Sequence, residues 1–273
     1  MKNSKVKIFV AVHKDAQVYN DEVYTPIHVG KAVSDCKMNF IGDDTGDNIS
    51  AKNPYYCELT AQYWVWKNVS SEYVGFCHYR RYFSKIFTKD NIDVYLKHCD
   101  IILVKPIFWR CSLVNKLINE LTLEDGYIFY KVLCKLYPSY KKTVDSYLLD
   151  NKDYAFNMFV CKKEVFDEYA EWQFHILSEC EKYIRLSEYT RLKRIYGYLG
   201  EFLLPIWVIY NKKKISTMPI SVWPGGERVF SHFSNLKGLI YRLVLRVAGR
   251  ARKKSIDFGA AVILGITQDK INI

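Results

Sequence analysis

The segment after Val74 carries the side chains best suited to chemistry in this chain. A short apolar run, Val74 to Cys77, is followed directly by His78, Tyr79, Arg80 and Arg81. The planar guanidinium of arginine donates paired hydrogen bonds to phosphate oxygens and stays charged at physiological pH. Histidine and tyrosine add hydrogen bonds or proton transfer. The cluster therefore predicts an anion-binding site at the end of a buried strand, and a surface arginine pair beside a satisfied histidine is the alternative.

Two further groups of polar residues follow predicted strands. His13 comes directly after Val6–Val12, a continuous apolar run typical of a strand buried on both faces. A loop rich in turn formers and carboxylates follows Gly42 and contains Asp43, Asp44, Thr45 and Asn48. Ligands of open α/β sheets bind beyond the carboxyl ends of the strands, so these residues are expected at a ligand site. A solvated turn is the alternative for the loop.

Strand-like and helix-like segments alternate along the rest of the chain. Further strands are predicted over 73–77, 100–104 and 154–161, and the last of these bears Asn157. Helical spacing is predicted from Asn53 onward, over about 113–140, over 163–194 and over 198–210, where Pro205 should kink or divide the helix. This alternation predicts an α/β fold with one Rossmann-type nucleotide-binding domain.

Bulk composition narrows the class of protein. A chain of 273 residues with 49% hydrophobic content can bury a large α/β core, and its net charge of +11 favours anionic partners such as nucleotide phosphates, acidic lipids or nucleic acid. The eight cysteines show no zinc-type spacing and are expected to be buried and reduced. We find no signal peptide and no apolar stretch near the roughly 18 residues that span a bilayer. The protein is therefore expected in the cytoplasm, peripheral on the inner face of the cell membrane.

The carboxy-terminal segment has a different pattern. Between Leu236 and Lys254, apolar residues follow helical spacing while cations accumulate without one carboxylate, which is typical of a basic amphipathic helix. We predict a catalytic domain over residues 1–228 and a membrane-associating tail over 229–273. The stripe would otherwise dock on the parent domain or on a partner. The cations expected to contact anionic lipid are Lys237, Arg242, Arg246 and Arg250.

Several ordered blocks resemble a family of bacterial glycosyltransferases from exopolysaccharide, capsule and O-antigen gene clusters, the DUF4422 group. The blocks begin with Lys7 to Lys14, continue through the loop at 42–50 and the stretch at 53–83, and include the segments at 137–140, 157–160, 166–172 and 196–201. The resemblance implies a GT-A-like fold. It also implies a hexosyltransferase that takes a sugar, most plausibly galactose in pyranose or furanose form, from a UDP-sugar donor to a lipid-linked saccharide acceptor.

The same resemblance suggests roles for the candidate residues. Donor binding is expected from His13, Asp43, Asp44, Thr45, Asn48, Tyr79, Arg80, Arg81 and Asn157. Glu201, expected at the start of a helix, is the first choice for general base and Asp125 the second, while His78 shapes the same site. Many GT-A enzymes hold Mn²⁺ or Mg²⁺ with an Asp-x-Asp motif, of which this chain has no clean copy, so the metal stays open.

Other classes of protein fit parts of the pattern. A non-catalytic, membrane-bound assembly protein for polysaccharide synthesis is one, and a nucleotide-sugar hydrolase or phosphotransferase is another. A nucleic-acid binder fits the charge and the interleaved aromatics. However, much of the positive charge lies in the tail and no known nucleic-acid motif is present, so nucleic acid is not an expected partner.

Overall fold

A computed structural model describes residues 4–221, residue 240, residues 243–247 and residues 256–259. The strands in chain order are β1 (Ser4–Val12), β2 (Tyr24–His28), β3 (Ile41–Gly42), β4 (Ser71–His78), β5 (Tyr82–Phe83), β6 (Ile101–Val104), β7 (Ile107–Phe108), β8 (Lys152–Asp153), β9 (Phe159–Lys162), β10 (Ile215–Met218) and β11 (Ile220–Ser221). The α-helices are α1 (Asn53–Tyr56), α2 (Leu59–Asn68), α3 (Ile92–Leu96), α4 (Leu113–Glu120), α5 (Leu123–Leu136), α6 (Lys141–Leu149), α7 (Lys163–Cys180), α8 (Thr190–Lys193) and α9 (Ile195–Tyr210).

The chain divides into two compact units. Unit 1 comprises Met1–Lys105, Tyr154–Trp172 and Asn211–Ser231, and unit 2 comprises Pro106–Asp153, Gln173–Tyr210 and His232–Ile273. Helix α7 contributes its first part to unit 1 and its last part to unit 2. The predicted domain boundary between residues 228 and 229 lies outside the described residues.

Unit 1 is built on one mainly parallel sheet. Its seven strands lie in the order β10-β6-β9-β4-β1-β2-β3, and every neighbouring pair is parallel except the two that involve β9. The central strand β1 is buried along most of its length because both of its faces are covered. The expected α/β class with a Rossmann-type parallel sheet is confirmed.

Helices and loops of unit 1 cover both faces of this sheet. On one face, the ring of Phe9 lies 6.2 Å from Trp64 of α2, and Phe76 lies 5.0 Å from Phe166 of α7. The opposite face packs Val10 and Val12 into a cluster with aromatic residues of the segment after β4, among them Phe83 and Phe87. Burial on both sides explains why Val6–Val12 is an unbroken apolar run.

Several element boundaries differ from the sequence prediction. The helix expected from Asn53 is interrupted at Cys57, whose φ of 53° lies in the left-handed region. The helical stretch predicted over 113–140 is divided near Thr122, which caps α5 by accepting a hydrogen bond from the Asp125 backbone amide. Pro205 lies inside one continuous helix, α9, and does not divide it.

Unit 2 is mainly helical among the residues described. Helices α4, α5, α6 and α9 account for most of its buried apolar side chains, and the short antiparallel pair β7 and β8 joins Ile107 to Asp153 and Phe108 to Lys152. The cysteines of both units are free. Cys77, Cys161 and Cys180 are buried as expected, whereas the other five are only partly buried.

Candidate functional site

The carboxyl ends of the parallel strands of unit 1 meet at one edge of the sheet. Strand β2 lies on one side of β1 and β4 lies on the other, so the strand order reverses at β1. Such a reversal opens a crevice beyond the strand ends, where open α/β sheets bind their ligands. His13 follows β1 and His78 ends β4 at this edge. The two predicted histidines are therefore brought together, with ring centroids 6.2 Å apart.

A tight turn at the end of β4 holds the predicted anion-binding cluster. The backbone amide of Arg81 donates to the carbonyl of His78 at 2.8 Å, and the amide of His78 donates back to the carbonyl of Arg81 at 3.1 Å. The amide of Tyr79 donates to the carbonyl of Ala11 in β1 at 3.1 Å. The turn is thus fixed to the two strands that flank the crevice.

The ring of Tyr79 in this turn lies beside two cations. The Tyr79 ring is buried, with its centroid 5.2 Å from that of His13. The exposed guanidinium of Arg80 lies 5.0 Å from the Tyr79 centroid and the ammonium of Lys14 lies 5.9 Å from it. These are cation–π distances, and they keep positive charge at the crevice. The cluster has the charge and donor groups to hold a diphosphate.

Asn157 lies in a turn and not within a strand, which corrects the prediction of a strand over 154–161. Strand β9 begins only at Phe159, and both Phe156 and Asn157 have left-handed φ angles, 81° and 49°. Side chains with a Cβ rarely adopt this conformation, and such residues concentrate at functional sites. Because β9 runs antiparallel to β4, this turn lies at the same edge as His78. The Phe156 ring lies 4.4 Å from the Arg81 guanidinium.

Two residues that sequence reasoning assigned only to a helix hold this turn. The amide Nδ2 of Asn157 donates to Oε1 of Glu58 at 2.9 Å, and Nε2 of Gln62 donates to the Asn157 carbonyl at 3.2 Å. A small pocket is lined by Glu58, Gln62, His78 and Asn157 among others. Glu58 and Gln62 are four positions apart, so they lie on one face of a helix. Their contact with Asn157, however, depends on the tertiary fold.

The loop after β3 is tied to its surroundings. Asp43 is fully buried, and its carboxylate accepts hydrogen bonds from the amide of Gly30 at 2.9 Å, the amide of Lys31 at 3.2 Å and the hydroxyl of Ser50. Asp44 lies 3.5 Å from the Lys31 ammonium. The structure thus gives Asp43 an internal role in shaping this edge of the sheet, and contact with a donor stays a prediction for both carboxylates.

Thr45 and Asn48 lie in the same loop. The indole of Trp64 in α2 donates to the Thr45 carbonyl at 2.9 Å and to its hydroxyl at 3.0 Å. Asn48 donates to the carbonyl of Gly46 at 3.0 Å and accepts from the amide of Ser50 at 3.1 Å. These bonds fix the loop at the edge strand of the sheet. Thr45 is exposed and Asn48 partly exposed, so both can meet a ligand.

Glu201 lies in unit 2, within α9 and about two turns after its first residue. The expectation of a glutamate at a helix start is therefore wrong: the helix begins at Ile195 because the residues before Glu201 are buried and continue the helix. The Glu201 carboxylate lies 3.7 Å from Nζ of Lys116, which also lies 3.0 Å from Asp153 and 3.3 Å from Glu120. Nearby carboxylates raise the pKa of Lys116, although its burial opposes them, so it stays charged.

Asp125 also lies in unit 2, in the first turn of α5. Its backbone amide donates to the Thr122 hydroxyl at 3.0 Å, and that hydroxyl lies 2.8 Å from the Asp125 carboxylate. This arrangement is a capping interaction, which stabilises the start of the helix. Burial raises the pKa of Asp125 above its ordinary value. A role as general base stays a prediction.

The residues described contain no cluster of three or more histidine, cysteine or acidic side chains arranged to hold a metal ion. Asp43 and Asp44, the adjacent carboxylates of the loop after β3, interact with backbone amides and with Lys31 respectively. Neither the sequence nor the described part of the structure therefore assigns a site for Mn²⁺ or Mg²⁺.

The tail is described at residue 240 and over two short stretches, 243–247 and 256–259. Lys237, Arg242 and Arg250 lie outside the described residues, whereas Arg246 is exposed on a helical segment. On this segment and at the helical residue 240, the side chains of Ile240, Leu243, Val244 and Val247 are 52%, 52%, 53% and 74% exposed. The Asn151 amide donates to the Leu245 carbonyl at 2.6 Å, and the buried Phe258 ring lies 5.7 Å from Tyr127 and 5.5 Å from Tyr130. The tail is thus attached to unit 2 while this apolar stripe faces solvent.

Across the described ranges, none of the helices is long and apolar enough to cross a membrane.

Comparisons with other proteins agree with this picture of the fold. Residues 7–213 match the model of a family described as a domain of unknown function, DUF4422. No curated protein matches the sequence. Among solved structures, the chain is similar to the apo structure of WbbM, a bifunctional glycosyltransferase, with 32% identity and a TM-score of 0.74 over 84% of this chain and 48% of that chain. The chain thus spans about half the length of the solved protein that it matches.

Proposed function

This chain belongs to the DUF4422 family, and from that premise we propose that it is a glycosyltransferase that moves a hexose from a UDP-sugar to a lipid-linked saccharide. The 32% identity to a bifunctional glycosyltransferase supports glycosyl transfer. The choice of galactose, and of a bacterial surface polysaccharide as the product, follows the family resemblance of the sequence. The alternative is a non-catalytic assembly protein of the same pathway.

The observation that carries the proposal is the group of cations and rings at the crevice between β1 and β4. During transfer, the bond between the anomeric carbon and the diphosphate oxygen breaks, and the diphosphate leaves with the electron pair. A new bond forms from the acceptor oxygen to the anomeric carbon. Arg80 and Arg81 would stabilise the charge that develops on the diphosphate, because preorganised cations favour the transition state over the ground state.

The acceptor hydroxyl must also lose its proton. Glu201 remains our first choice for this base, because a carboxylate is the group that usually accepts the acceptor proton and its side chain lies 3.7 Å from Lys116, which would hold it in place. Asp125 is the second choice, and its capping contact makes it less available. His78 would shape the donor site on the β4 side. A divalent metal bound with the donor would also neutralise charge on the leaving diphosphate.

Donor binding measured by calorimetry tests the site. The wild-type protein would be titrated with uridine, guanosine and thymidine diphosphates and their sugars, once with Mn²⁺ and once with chelator. We expect one nucleotide to bind selectively at micromolar concentration. The Arg80→Ala variant should weaken its binding at least tenfold, because a hydrogen bond to a charged group contributes about 1.5–3 kcal/mol. Arg185→Ala, which removes an exposed arginine of unit 2, is the matched control and should bind as the wild type.

The same titrations separate the competing functions. If no nucleotide binds to the wild type, the assignment of the donor site is wrong. The hypothesis of a non-catalytic assembly protein is then favoured. If Arg80→Ala and Arg185→Ala lose affinity equally, the arginine effect is one of overall charge and not of a site. A difference between Mn²⁺ and chelator decides the dependence on metal.

We also propose that the tail holds the enzyme on an anionic membrane surface, where a lipid-linked acceptor would lie. The exposed stripe of four aliphatic side chains supports this, since it leaves apolar area uncovered beside Arg246. The sequence from 236 to 254 has cations and no carboxylate, a charge that complements acidic lipid headgroups.

Co-sedimentation with vesicles tests the membrane contact. We expect binding to vesicles of phosphatidylglycerol and phosphatidylcholine, and little to phosphatidylcholine alone. Val247→Glu should weaken binding at least tenfold, because it places a charge on the exposed apolar stripe that would enter the membrane surface. Val94→Glu, at another exposed valine in unit 1, is the matched control. Equal effects of the two variants, or equal binding to both kinds of vesicle, would remove the membrane role.

A further inference from the structure

His28 ends strand β2 at the same edge of the sheet as the donor site. Its backbone is in register with Val12 of β1 and with Gly42 of β3. The side chain is 1% exposed, yet neither ring nitrogen has a hydrogen-bond partner among the described residues. Buried polar groups in folded proteins are nearly always hydrogen-bonded, and an exception at a ligand-binding edge calls for a ligand or an ordered water.

The charged neighbours of His28 do not supply the missing bonds. The charged groups that act on the imidazole are Asp43, Lys31 and Asp44. The Asp43 carboxylate is already bonded to two backbone amides and a hydroxyl, and Asp44 pairs with Lys31. Burial lowers the pKa of His28 below its ordinary value, with Lys31 adding to the effect and Asp43 opposing it. The ring is therefore neutral at physiological pH and offers one donor and one acceptor.

The chain segment that follows His28 is lightly packed. The chain continues through Gly30, in the left-handed conformation, into a short 3₁₀ turn at Lys31–Val33 with no buried residue. Val33 is 53% exposed, and the residues from 34 to 40 form no regular element and none of them is buried. Segments with few buried apolar contacts open at low free energy. A ligand would therefore reach the imidazole by displacing this segment, which directly follows His28 in the chain.

We propose that His28 contacts the nucleoside of the donor nucleotide. This inference rests on the proposed function. The phosphate-binding cluster lies at the ends of β1 and β4, and neighbouring strands are spaced about 4.8 Å apart, so β2 lies roughly 10 Å from β4. A nucleoside diphosphate can bridge that distance. A neutral group with one donor and one acceptor matches the polar edge of a base or a ribose.

Two variants of His28 test the contact. His28→Leu removes both hydrogen-bonding groups, and His28→Gln keeps a donor and an acceptor. Calorimetry would use the nucleoside diphosphate that the wild type binds best, and inorganic pyrophosphate as a probe of the phosphate cluster alone. His28→Leu should weaken nucleotide binding about tenfold, the loss expected for one hydrogen bond or more, and leave pyrophosphate binding unchanged. His28→Gln should retain most of the affinity. His98→Leu, at an exposed histidine of unit 1, is the matched control.

The outcomes distinguish this inference from the proposed function. If His28→Leu binds the nucleotide as the wild type does while Arg80→Ala does not, only the role of His28 is overturned. If the wild type binds no nucleotide, both fall together. Thermal unfolding adds an independent readout. Because the His28 ring has no hydrogen-bond partner among the described residues, His28→Leu should melt at or above the wild-type temperature. A lower melting temperature with equal loss of nucleotide and pyrophosphate would make His28 structural and overturn the inference.

Discussion

The amide of Asn157 donates a 2.9 Å hydrogen bond to the carboxylate of Glu58, a residue 99 positions away in the sequence. This bond holds a residue with left-handed backbone beside His78 at the ligand edge of the sheet. Left-handed residues with a side chain are strained by about 1–3 kcal/mol and persist only where their surroundings fix them. Glu58 is therefore a positioning residue for the turn, and it can also be a base.

Substitutions at Glu58 separate these two roles. If Glu58 only positions Asn157, Glu58→Gln should keep donor affinity and turnover within about threefold, because its amide oxygen still accepts the bond. Glu58→Ala should weaken donor binding about tenfold, since the turn loses its support. We expect this result. Loss of turnover in Glu58→Gln with unchanged donor affinity would instead make Glu58 the base.

A matched control accompanies this comparison. Glu171→Ala removes an exposed carboxylate on α7. It should leave donor affinity and melting temperature unchanged. Calorimetry and initial rates on the same preparations are the measurements, and a fall in affinity for the control would show a general effect of charge.

The sequence predicted the cluster at the end of β4 but not the turn at Asn157, and the difference has a physical reason. Val6–Val12 is recognisable because a central parallel strand must be apolar on both faces, and the cluster from His78 to Arg81 is contiguous, so its placement follows from one strand end. Asn157 needed more. No local sequence pattern predicts two consecutive left-handed residues at Phe156 and Asn157. The residues that hold this turn, Glu58 and Gln62, are also distant in the sequence.

Unit 2 shows how burial overrides local signals. The helix predicted over 198–210 was expected to kink or divide at Pro205, yet α9 continues from Ile195 to Tyr210. Most of its residues are buried, and the free energy of packing exceeds the local penalty of one proline or glycine. For the same reason Glu201 lies within the helix, beside a lysine that no local pattern indicated.

The Lys116 cluster predicts a large loss of stability from one substitution. Lys116 is 5% exposed and lies 3.0 Å from Asp153, which is 1% exposed. Lys116→Met should lower the free energy of unfolding by about 3–5 kcal/mol, because it leaves buried carboxylates without their counter-charge. Lys89→Met, which breaks the exposed pair with Glu22, should cost at most about 1 kcal/mol. Urea unfolding followed by circular dichroism measures both, and similar losses would contradict a buried role.

If Glu201 is the general base, the same variant has a kinetic signature. Lys116→Met removes a positive charge that lies 3.7 Å from the Glu201 carboxylate, and the loss of a nearby cation disfavours an ionised carboxylate. The base must be deprotonated to act, so the acid limb of the pH profile of kcat/KM should move to higher pH. An unchanged limb, measured at a temperature where the variant is folded, would exclude Glu201 as the group that titrates.

Stability should also depend on pH through His28. Burial holds its pKa in the folded protein below the ordinary value of 6.5. Between that lowered value and 6.5 the unfolded chain binds more protons than the folded protein, so the free energy of unfolding falls as pH decreases through this window. One such group contributes a slope of at most about 1.4 kcal/mol per pH unit. Urea unfolding from pH 7.5 to 5 should show a flatter dependence for His28→Leu than for the wild type, and parallel curves would contradict the buried, neutral state.

Asp125 provides the clearest test between a structural and a catalytic carboxylate. It pairs with the Thr122 hydroxyl at the start of α5. If its carboxylate only supports the Thr122 cap, Asp125→Asn should cost about 0.5–1 kcal/mol of stability and leave turnover within about twofold. Thr122→Ala removes the cap and its hydrogen bond to the Asp125 carboxylate, keeps the carboxylate itself, and should cost about 1 kcal/mol. We expect the two variants to be similar in both stability and rate, because the capping contact accounts for both residues. A turnover that collapses in Asp125→Asn but survives in Thr122→Ala would instead make Asp125 the proton acceptor in place of Glu201.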